Sequence, residues 1–344
     1  MEKKNLITKK YEEGFLSRNE YLEIMKREYP NSKIGQSKTV GVFDGSLLMI
    51  KLSLKQLSLF FDKFYIIDLH QWIDHLRSMK IDTLEESYLY NKAELDWLLE
   101  NEIINEMIFP SDEELQENIK VKSEYNRLLE FYNSKLFRQV TEHKNKESDD
   151  YNKKLVRVLH HQSVFRARLQ SAFINSMTFD DAYPVIDNVF DLGRYLDGLP
   201  KAHVVNVSIT KLPTPTPNTP WEQIQDFRQD SDSKEKYNRI KKWIRKIAKE
   251  NLRTNEINEE IEDLINDYEK YMKIHKIKTN HSILKSTVIT TAEMIENIVK
   301  LKFGEAAKQV FSFENRKISL LEAEMKAPGR EIAYIIKARE EFKK

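Results

Sequence analysis

Residues 234–270 read KEKYNRIKKWIRKIAKENLRTNEINEEIEDLINDYEK. Apolar side chains recur at the spacing of one helical face, first from Tyr237 to Ile247 and then from Ile257 to Tyr268. Residues 234–250 carry a net charge of +6, and residues 256–270 carry a net charge of −6. This pattern predicts two helices in an antiparallel hairpin, with their apolar stripes in contact and their opposite charges paired along the edges.

Helical patterns extend over most of the remaining chain. Ser111 with Glu114 three residues later has the spacing of a capping box, and Thr219 followed by Pro220 predicts another helix start. Apolar residues between 95 and 107 form a single helical stripe. The sequence therefore predicts a mainly α fold, a multi-helix bundle-like architecture with a small mixed β element.

The β element is expected from about 40–68 and 202–212. Residues 40–45 predict a turn flanked by apolar residues, residues 64–67 a short buried strand, and residues 203–209 the clearest strand of the chain. Because an isolated strand is not stable, we expect the two strands to pair. Four prolines between 213 and 220 predict an extended surface strap.

These patterns divide the chain into three regions. Residues 1–84 are expected to form an N-terminal mixed α/β region and residues 85–200 a helical region. Residues 201–344 are expected to hold a strand, the proline-rich strap and a C-terminal helical region.

Composition excludes several classes of protein. Lys and Arg number 56 against 55 Asp and Glu, so the chain lacks the strong basic excess of a protein whose whole surface binds nucleic acid. The absence of Cys excludes disulfides and thiolate metal sites. The charged N-terminus has no signal-peptide pattern, and no apolar run is long enough to span a membrane, so a cytoplasmic location without membrane contact is expected. The glycine-rich loops that bind nucleotide phosphates are also absent.

A cluster of charged residues in the middle of the chain is the candidate catalytic site. Its members are Arg166, Arg168, Asp180, Asp181, Asp187 and Asp191. One interpretation is a network of ion pairs between packed helices. The other is an acidic pocket that holds a divalent cation for phosphodiester hydrolysis, since Asp187 and Asp191 have the spacing to share an ion on a helix. A divalent metal is expected only in the second case, and no other cofactor is predicted.

The basic segment gives a second candidate site. Five cations share an outward helical face, namely Lys234, Lys241, Lys242, Arg245 and Lys249. They are candidates for contacting nucleic-acid phosphates. The competing hypothesis pairs them with the acidic segments at 256–270 and 85–119, and it is favoured because partners in the same chain have the higher effective concentration.

Trp221, Glu222, Ile224, Phe227 and Arg228 form a P-W-E-x-I-x-x-F-R segment with Pro220, and Asp230, Ser233 and Lys236 continue it as D-x-x-S-x-x-K. The segment resembles one in a family of uncharacterised bacterial proteins, some of which look like members of antiphage-defence loci. The resemblance implies no activity. The leading hypothesis is a non-enzymatic interaction or regulatory component with a protein partner or a homo-oligomer, and the alternative is a metal-dependent, nuclease-like enzyme that acts on nucleic acid.

Overall fold

The computed structural model of the protein describes residues 38–44, 53–71, 92–107, 109–142, 149–178, 180–186, 192–274 and 323–342. The chain forms two compact units, residues 1–191 and residues 192–344. Of the divisions predicted from the sequence, the one at 200/201 lies near this boundary and the one at 84/85 lies within the first unit. Helices predominate among the described residues, which confirms the mainly α class.

The first unit alternates helices with strands along the chain. Its elements are β1 (Thr39–Asp44), α1 (Leu54–Ser58), β2 (Lys63–Ile67), α2 (Lys92–Glu100), β3 (Ile104–Met107), α3 (Asp112–Glu117), α4 (Lys122–Tyr132), α5 (Lys135–Thr141), α6 (Asp149–Met177) and β4 (Asp181–Pro184). The capping box predicted at the start of α3 is confirmed, since the Ser111 hydroxyl accepts a hydrogen bond from the Glu114 amide and the Glu114 carboxylate accepts one from the Ser111 amide.

The four strands form a parallel sheet in the order β3-β2-β1-β4. The mixed β element predicted from the sequence is therefore wrong in strand direction. All six residues of β1 are buried, so a continuous apolar run replaces the alternation typical of a half-exposed strand. This is why residues 40–44 form an interior strand rather than the predicted turn.

The predicted helical stripe between 95 and 107 is interrupted. Helix α2 ends at Glu100, and Glu102 takes a left-handed conformation with a φ of 55°. Such a residue commonly ends a helix, and the chain then leaves in a new direction. Residues 104–107 consequently pair with β2 as β3.

The long helix α6 organises the rest of the first unit. It packs against β1 and β4 and also against α4 and α5. A buried apolar cluster fills the space between these helices, with Leu115, Val121, Tyr125, Leu128, Phe131, Val140, Val158 and Leu169 as its fully buried members. One helix thus links the sheet to the helical part of the unit.

The described part of the second unit is helical. Its elements are α7 (Leu192–Tyr195), α8 (Pro200–Ile209), α9 (Trp221–Gln229), α10 (Ser231–Ile247), α11 (Thr254–Ile274), a 3₁₀ turn (Arg330–Ile332) and α12 (Ala333–Phe342). None of these helices, nor any other helix in the described ranges, is long and apolar enough to cross a membrane.

The strand predicted at 203–209 is wrong, because these residues lie in α8. Every residue from Ala202 to Ile209 is buried, so this part of α8 has no face exposed to solvent. Its β-branched run therefore resembles a buried strand in sequence. Pro200 stands in its first turn, where a missing amide donor costs nothing. The predicted pairing of this segment with residues 64–67 is therefore not formed.

Helices α10 and α11 bury the apolar stripes that the sequence predicts. Tyr237 and Trp243 are buried in α10, and Ile261 and Tyr268 are buried in α11. Both helices, however, pack against α8 and against the 3₁₀ turn and α12. The predicted hairpin placed the two apolar stripes in direct contact. In the structure the 3₁₀ turn and α12 instead cover much of that apolar surface.

The proline-rich segment agrees in part with its prediction. Residues 213–218 are neither helix nor strand, as expected. Pro213 and Pro215 are buried, whereas Thr214, Thr216 and Pro217 are exposed. The segment therefore lies against its unit with one side buried.

Candidate functional site

The carboxyl ends of the parallel strands bring together two aspartates that are distant in sequence. Asp44 is the last residue of β1, and Asp68 directly follows β2. The register of the two strands pairs Asp44 with Ile67, so Asp68 lies one residue beyond it at the same edge. The strand order reverses between β1 and β4, and in open parallel sheets ligands bind outside the carboxyl ends of the strands at such a reversal.

Arg166 joins the two carboxylates. It projects from α6, and its Nη1 lies 2.8 Å from Oδ2 of Asp44 while its Nη2 contacts Oδ2 of Asp68. Asp44 is only 2% exposed, so its charge is almost completely removed from water. A carboxylate in such a position needs a cationic partner, because an unpaired buried charge is strongly destabilising. The guanidinium also lies 4.7 Å from the centre of the Phe109 ring.

Asp68 itself has an unusual backbone. Its φ is 54°, in the left-handed region that few residues other than glycine adopt, although aspartate tolerates it better than most. Its amide donates a hydrogen bond to the carbonyl of Met107 on the neighbouring strand. The sharp change of direction after β2 is therefore tied to the end of β3.

The third strand contributes a histidine–carboxylate pair to the same edge. Glu106 lies in β3, one of its carboxylate oxygens accepts a 2.9 Å hydrogen bond from the amide of His70, and the other contacts Nδ1 of the His70 ring. This contact orients the imidazole, whose side chain is 67% exposed, and leaves Nε2 as the ring nitrogen not engaged with Glu106. We refer to Asp44, Asp68, His70, Glu106 and Arg166 together as the carboxyl-edge site.

The central charged residues predicted from the sequence do not assemble into one site. Asp180 lies at the amino edge of the sheet, where its Oδ2 is 2.9 Å from Nζ of Lys63 and its Oδ1 accepts a hydrogen bond from the Lys38 amide. Asp181 begins β4 at that same edge. Arg166 is at the carboxyl edge, and Asp187 and Asp191 lie outside the described residues.

Two of these predicted residues, Asp180 and Arg168, have clear structural partners, which are Lys63 and Glu124. Burial alone would lower the pKa of Lys63, but hydrogen bonds to Tyr65 and Asp180 outweigh it and raise that pKa. Arg168 is 1% exposed and its Nε donates to Oε2 of Glu124 at 2.7 Å. These contacts match the ion-pair interpretation for Asp180 and Arg168.

Four residues of the carboxyl-edge site were missed in the sequence. Asp44 and Asp68 each follow an apolar run, and both runs are buried strands of a parallel sheet. An Asp at the end of two such runs was the available signal, because the ends of parallel strands meet at one edge. His70 and Glu106 carry no comparable pattern, since only the register of β2 and β3 brings them together.

The carboxyl-edge site offers few side chains that could bind a metal ion. No group of three or more His, Asp or Glu side chains poised to hold a metal ion occurs among the described residues. Mg²⁺ commonly takes only one or two carboxylates from a protein and completes its shell with water and substrate phosphate oxygens. Asp44 and Asp68 together provide two carboxylates, the number that this smaller requirement needs.

The basic segment of the second unit presents its cations outward. Lys234, Lys242, Arg245 and Lys249 are exposed, as predicted. Lys241 is half-buried, with Nζ 4.8 Å from the centre of the Tyr237 ring. The segment thus has an apolar side within the unit and a cationic side toward solvent.

The D-x-x-S-x-x-K residues form a polar network at the start of α10. The Asp230 carboxylate caps the helix by accepting hydrogen bonds from the amide and hydroxyl of Ser233. Lys236 is 3% exposed and contacts Asp232 and Glu324. Lys337 contacts both Asp230 and Asp232, and although burial would raise the pKa of each aspartate, their partners hold it below the ordinary value. The described contacts of this network are therefore structural.

Comparison with known proteins adds no family to this description. The chain matches no protein-family model, no curated protein and no solved structure.

Proposed function

We propose that the first unit is a metal-dependent hydrolase that cleaves phosphodiester bonds in nucleic acid, with the carboxyl-edge site as its active site. The observation that carries the proposal is the pair of aspartates at the ends of adjacent parallel strands, held by one arginine. Asp44 ends β1, one of the two interior strands, beside the point where the strand order reverses. The proposal moves the predicted acidic pocket from residues 180–191 to this edge.

The residues have complementary chemical roles in this proposal. Asp44 and Asp68 would hold a divalent cation, which supplies charge neutralisation and a water molecule of lowered pKa. Arg166 pairs with a nonbridging phosphate oxygen, since a guanidinium matches phosphate in charge and geometry. His70, oriented by Glu106, accepts a proton from the attacking water as the water oxygen bonds to phosphorus, the P–O ester bond breaks, and the leaving oxygen takes a proton from solvent.

The decisive experiment measures cleavage of end-labelled single-stranded RNA and DNA with Mg²⁺, with Mn²⁺ and with EDTA. We expect cleavage only in the presence of a divalent cation. Replacement of Asp44 by Asn keeps the size of the side chain but removes the charge, and we expect it to lower the rate by roughly 100-fold, the scale of losing a major electrostatic contact in an active site.

Asp180→Asn is the matched control, because it makes the same chemical change at the opposite edge of the sheet. We expect its cleavage rate to stay within a few-fold of the parent, provided that circular dichroism shows both variants folded. Absence of metal-dependent cleavage in the parent, or equal loss of activity in both variants, contradicts the proposal.

A second candidate is the non-enzymatic interaction role expected from the sequence. It is favoured by the same arginine, because Arg166 compensates Asp44 and Asp68 as a structural ion pair would. In this role the first unit is a binding module, and the exposed charges of α10 and α11 offer surfaces for a protein partner or a second copy. Light scattering coupled to size-exclusion chromatography tests the homo-oligomer: a dimer mass at low salt that becomes a monomer mass at high salt supports it, and a monomer throughout contradicts it.

A further inference from the structure

Helix α10 carries a row of exposed cations, and Glu235 and Asn238 are exposed between the first two of them. The exposed cations of α10 are Lys234, Lys242, Arg245 and Lys246, and exposed Lys249 follows in the turn after the helix ends at Ile247. We call these five residues the basic face. At 100° per residue the four residues within the helix project within about one third of its circumference. Lys234 and Lys246 alone are separated by about 18 Å along the helix axis. Lys242, Arg245 and Lys246 lie within about one helical turn of one another, whereas Lys234 is about 12 Å from Lys242 along the axis. The face is therefore long and narrow, and most of its charge lies toward the C-terminal end of α10.

The charges of the basic face are not neutralised within the described part of the chain. The ion pairs of α10 involve other residues, since Lys236 contacts Asp232 and Glu324 and Arg239 contacts Glu235. None of the five members of the basic face forms an ion pair in the part of the chain that the structure describes. In the described part of the chain, these five residues therefore do not form the ion pairs with the acidic helix α11 that the sequence favoured.

The burial of the apolar side of α10 excludes one way of binding an anionic partner, which is insertion into a membrane surface. An amphipathic helix binds a membrane surface by inserting its apolar face. In α10 that face is inside the unit, with Ile240 1%, Trp243 4% and Ile247 2% exposed. No large apolar side chain is exposed within the fully described segment 231–250. The basic face therefore has nothing to insert into lipid.

The same composition argues against a protein partner that binds through an apolar interface. Protein interfaces concentrate aromatic and apolar residues at their centre and are depleted in lysine. The basic face has four lysines, one arginine and no exposed aromatic residue. A row of such side chains instead suits a partner with regularly spaced negative charges, and nucleic acid provides one phosphate per nucleotide.

We infer that the basic face binds the sugar–phosphate backbone of nucleic acid without sequence preference. The face offers charge but no fixed base-reading contacts, because lysine is a flexible point charge. This inference does not depend on hydrolysis at the carboxyl-edge site. A protein that binds but does not cleave would satisfy the inference and contradict the proposed hydrolase.

Fluorescence anisotropy with a labelled oligonucleotide of about 20 nucleotides tests the inference, in EDTA so that cleavage does not interfere. We expect binding to single-stranded RNA and DNA that weakens with salt. If about four phosphates are neutralised, the log–log slope against salt is about −3 for a single strand.

The test variant is Lys242→Glu/Arg245→Glu in the full chain. Its matched control is Lys270→Glu/Lys273→Glu, which reverses two exposed charges on the neighbouring helix α11 and so changes the net charge equally. We expect the test variant to bind at least tenfold more weakly at about 50 mM salt, with a slope closer to zero, because it loses about two phosphate contacts. The control should bind like the parent.

Three results overturn the inference. The first is that the parent binds neither RNA nor DNA at low salt. The second is that both variants weaken binding equally, which shows that net charge rather than the basic face is responsible. The third is that a glutamate polymer of equal charge competes as well as the oligonucleotide, which identifies an acidic polypeptide as the fitting partner.

Discussion

Gly329 is a residue whose identity the second unit depends on directly. Its φ is 73°, and a Cβ added to it would lie 2.0 Å from the carbonyl oxygen of Leu264 in α11. That oxygen belongs to the backbone and cannot turn aside as a flexible side chain does. The 3₁₀ turn therefore approaches α11 at a distance that only glycine permits.

We predict that Gly329→Ala destabilises the second unit by about 3 kcal/mol or more, from backbone strain and from the displacement of α11. Urea unfolding followed by tryptophan fluorescence measures the change. Gly198→Ala is the control, because Gly198 has a similar φ of 77°. Backbone strain alone should cost that variant about 1–2 kcal/mol. Equal losses in the two variants would show that the close approach to Leu264 is unimportant.

The histidine pair of α6 gives the first unit a dependence on acid. His160 and His161 are buried, and the His161 ring stacks on Phe131 with centroids 5.9 Å apart. Burial, reinforced by the neighbouring His161, lowers the pKa of His160 to about 4. The unfolded chain therefore binds a proton at His160 at a higher pH than the folded chain does.

This difference has a defined sign. The stabilising effect of neutral His160 is complete above the ordinary pKa of about 6.5 and is lost as the pH falls toward 4. We predict that lowering the pH from 7 to 5 reduces the free energy of unfolding by about 2 kcal/mol through this residue. His160→Gln should remove that part of the pH dependence in urea titrations. His70→Gln, at an exposed position, should retain it, and an unchanged pH dependence in the His160 variant would refute the prediction.

At the scale of elements, a buried ion pair fixes α4 against α6. Both the Nε and the Nη2 of Arg168 donate to the carboxylate of Glu124, at 2.7 and 2.9 Å. Arg168 is 1% exposed, so removing the carboxylate leaves a guanidinium that water does not reach. The pair therefore matters more for what its disruption costs than for its net contribution.

We predict that Glu124→Leu destabilises the first unit by about 3–5 kcal/mol, whereas the double variant Glu124→Leu/Arg168→Met regains most of that stability. The double variant replaces the pair by apolar side chains that suit the surrounding cluster. Equilibrium unfolding of the parent, both single variants and the double variant gives the coupling energy. Losses that simply add would show that the two side chains do not act as a pair.

The elements also differ in how far their sequence predicts them. Helices with one apolar face, such as α10 and α11, follow from periodicity because half of each helix meets water. Helix α8 is buried on every side and β1 on both faces, so neither has the alternation that distinguishes a helix from a strand. This shared lack of alternation explains why the sequence predicted a strand for α8 and a turn for β1.

At the scale of the whole molecule, the two candidate sites also differ in how far the sequence predicts them. The basic face lies on one helix and the turn that follows it, so its spacing in the sequence predicted four of its exposed members. The carboxyl-edge site gathers residues from β1, β2, β3 and α6, whose proximity depends on strand order and register. Sequence spacing alone contains neither, which is why Asp44 and Asp68 were missed and Asp180 was placed with Arg166.

The position of β1 between β2 and β4 has a consequence for synthesis on the ribosome. β2 follows β1 after a short interval, but the β4 side of β1 is completed by residues as far away as 142 positions along the chain. At a translation rate of roughly 5–20 residues per second, β4 emerges on the order of 10 s after β1. During that interval an apolar strand has one edge open, and such an edge readily pairs with other extended chains. We therefore expect this protein to depend most on chaperones while its first unit is still being synthesised.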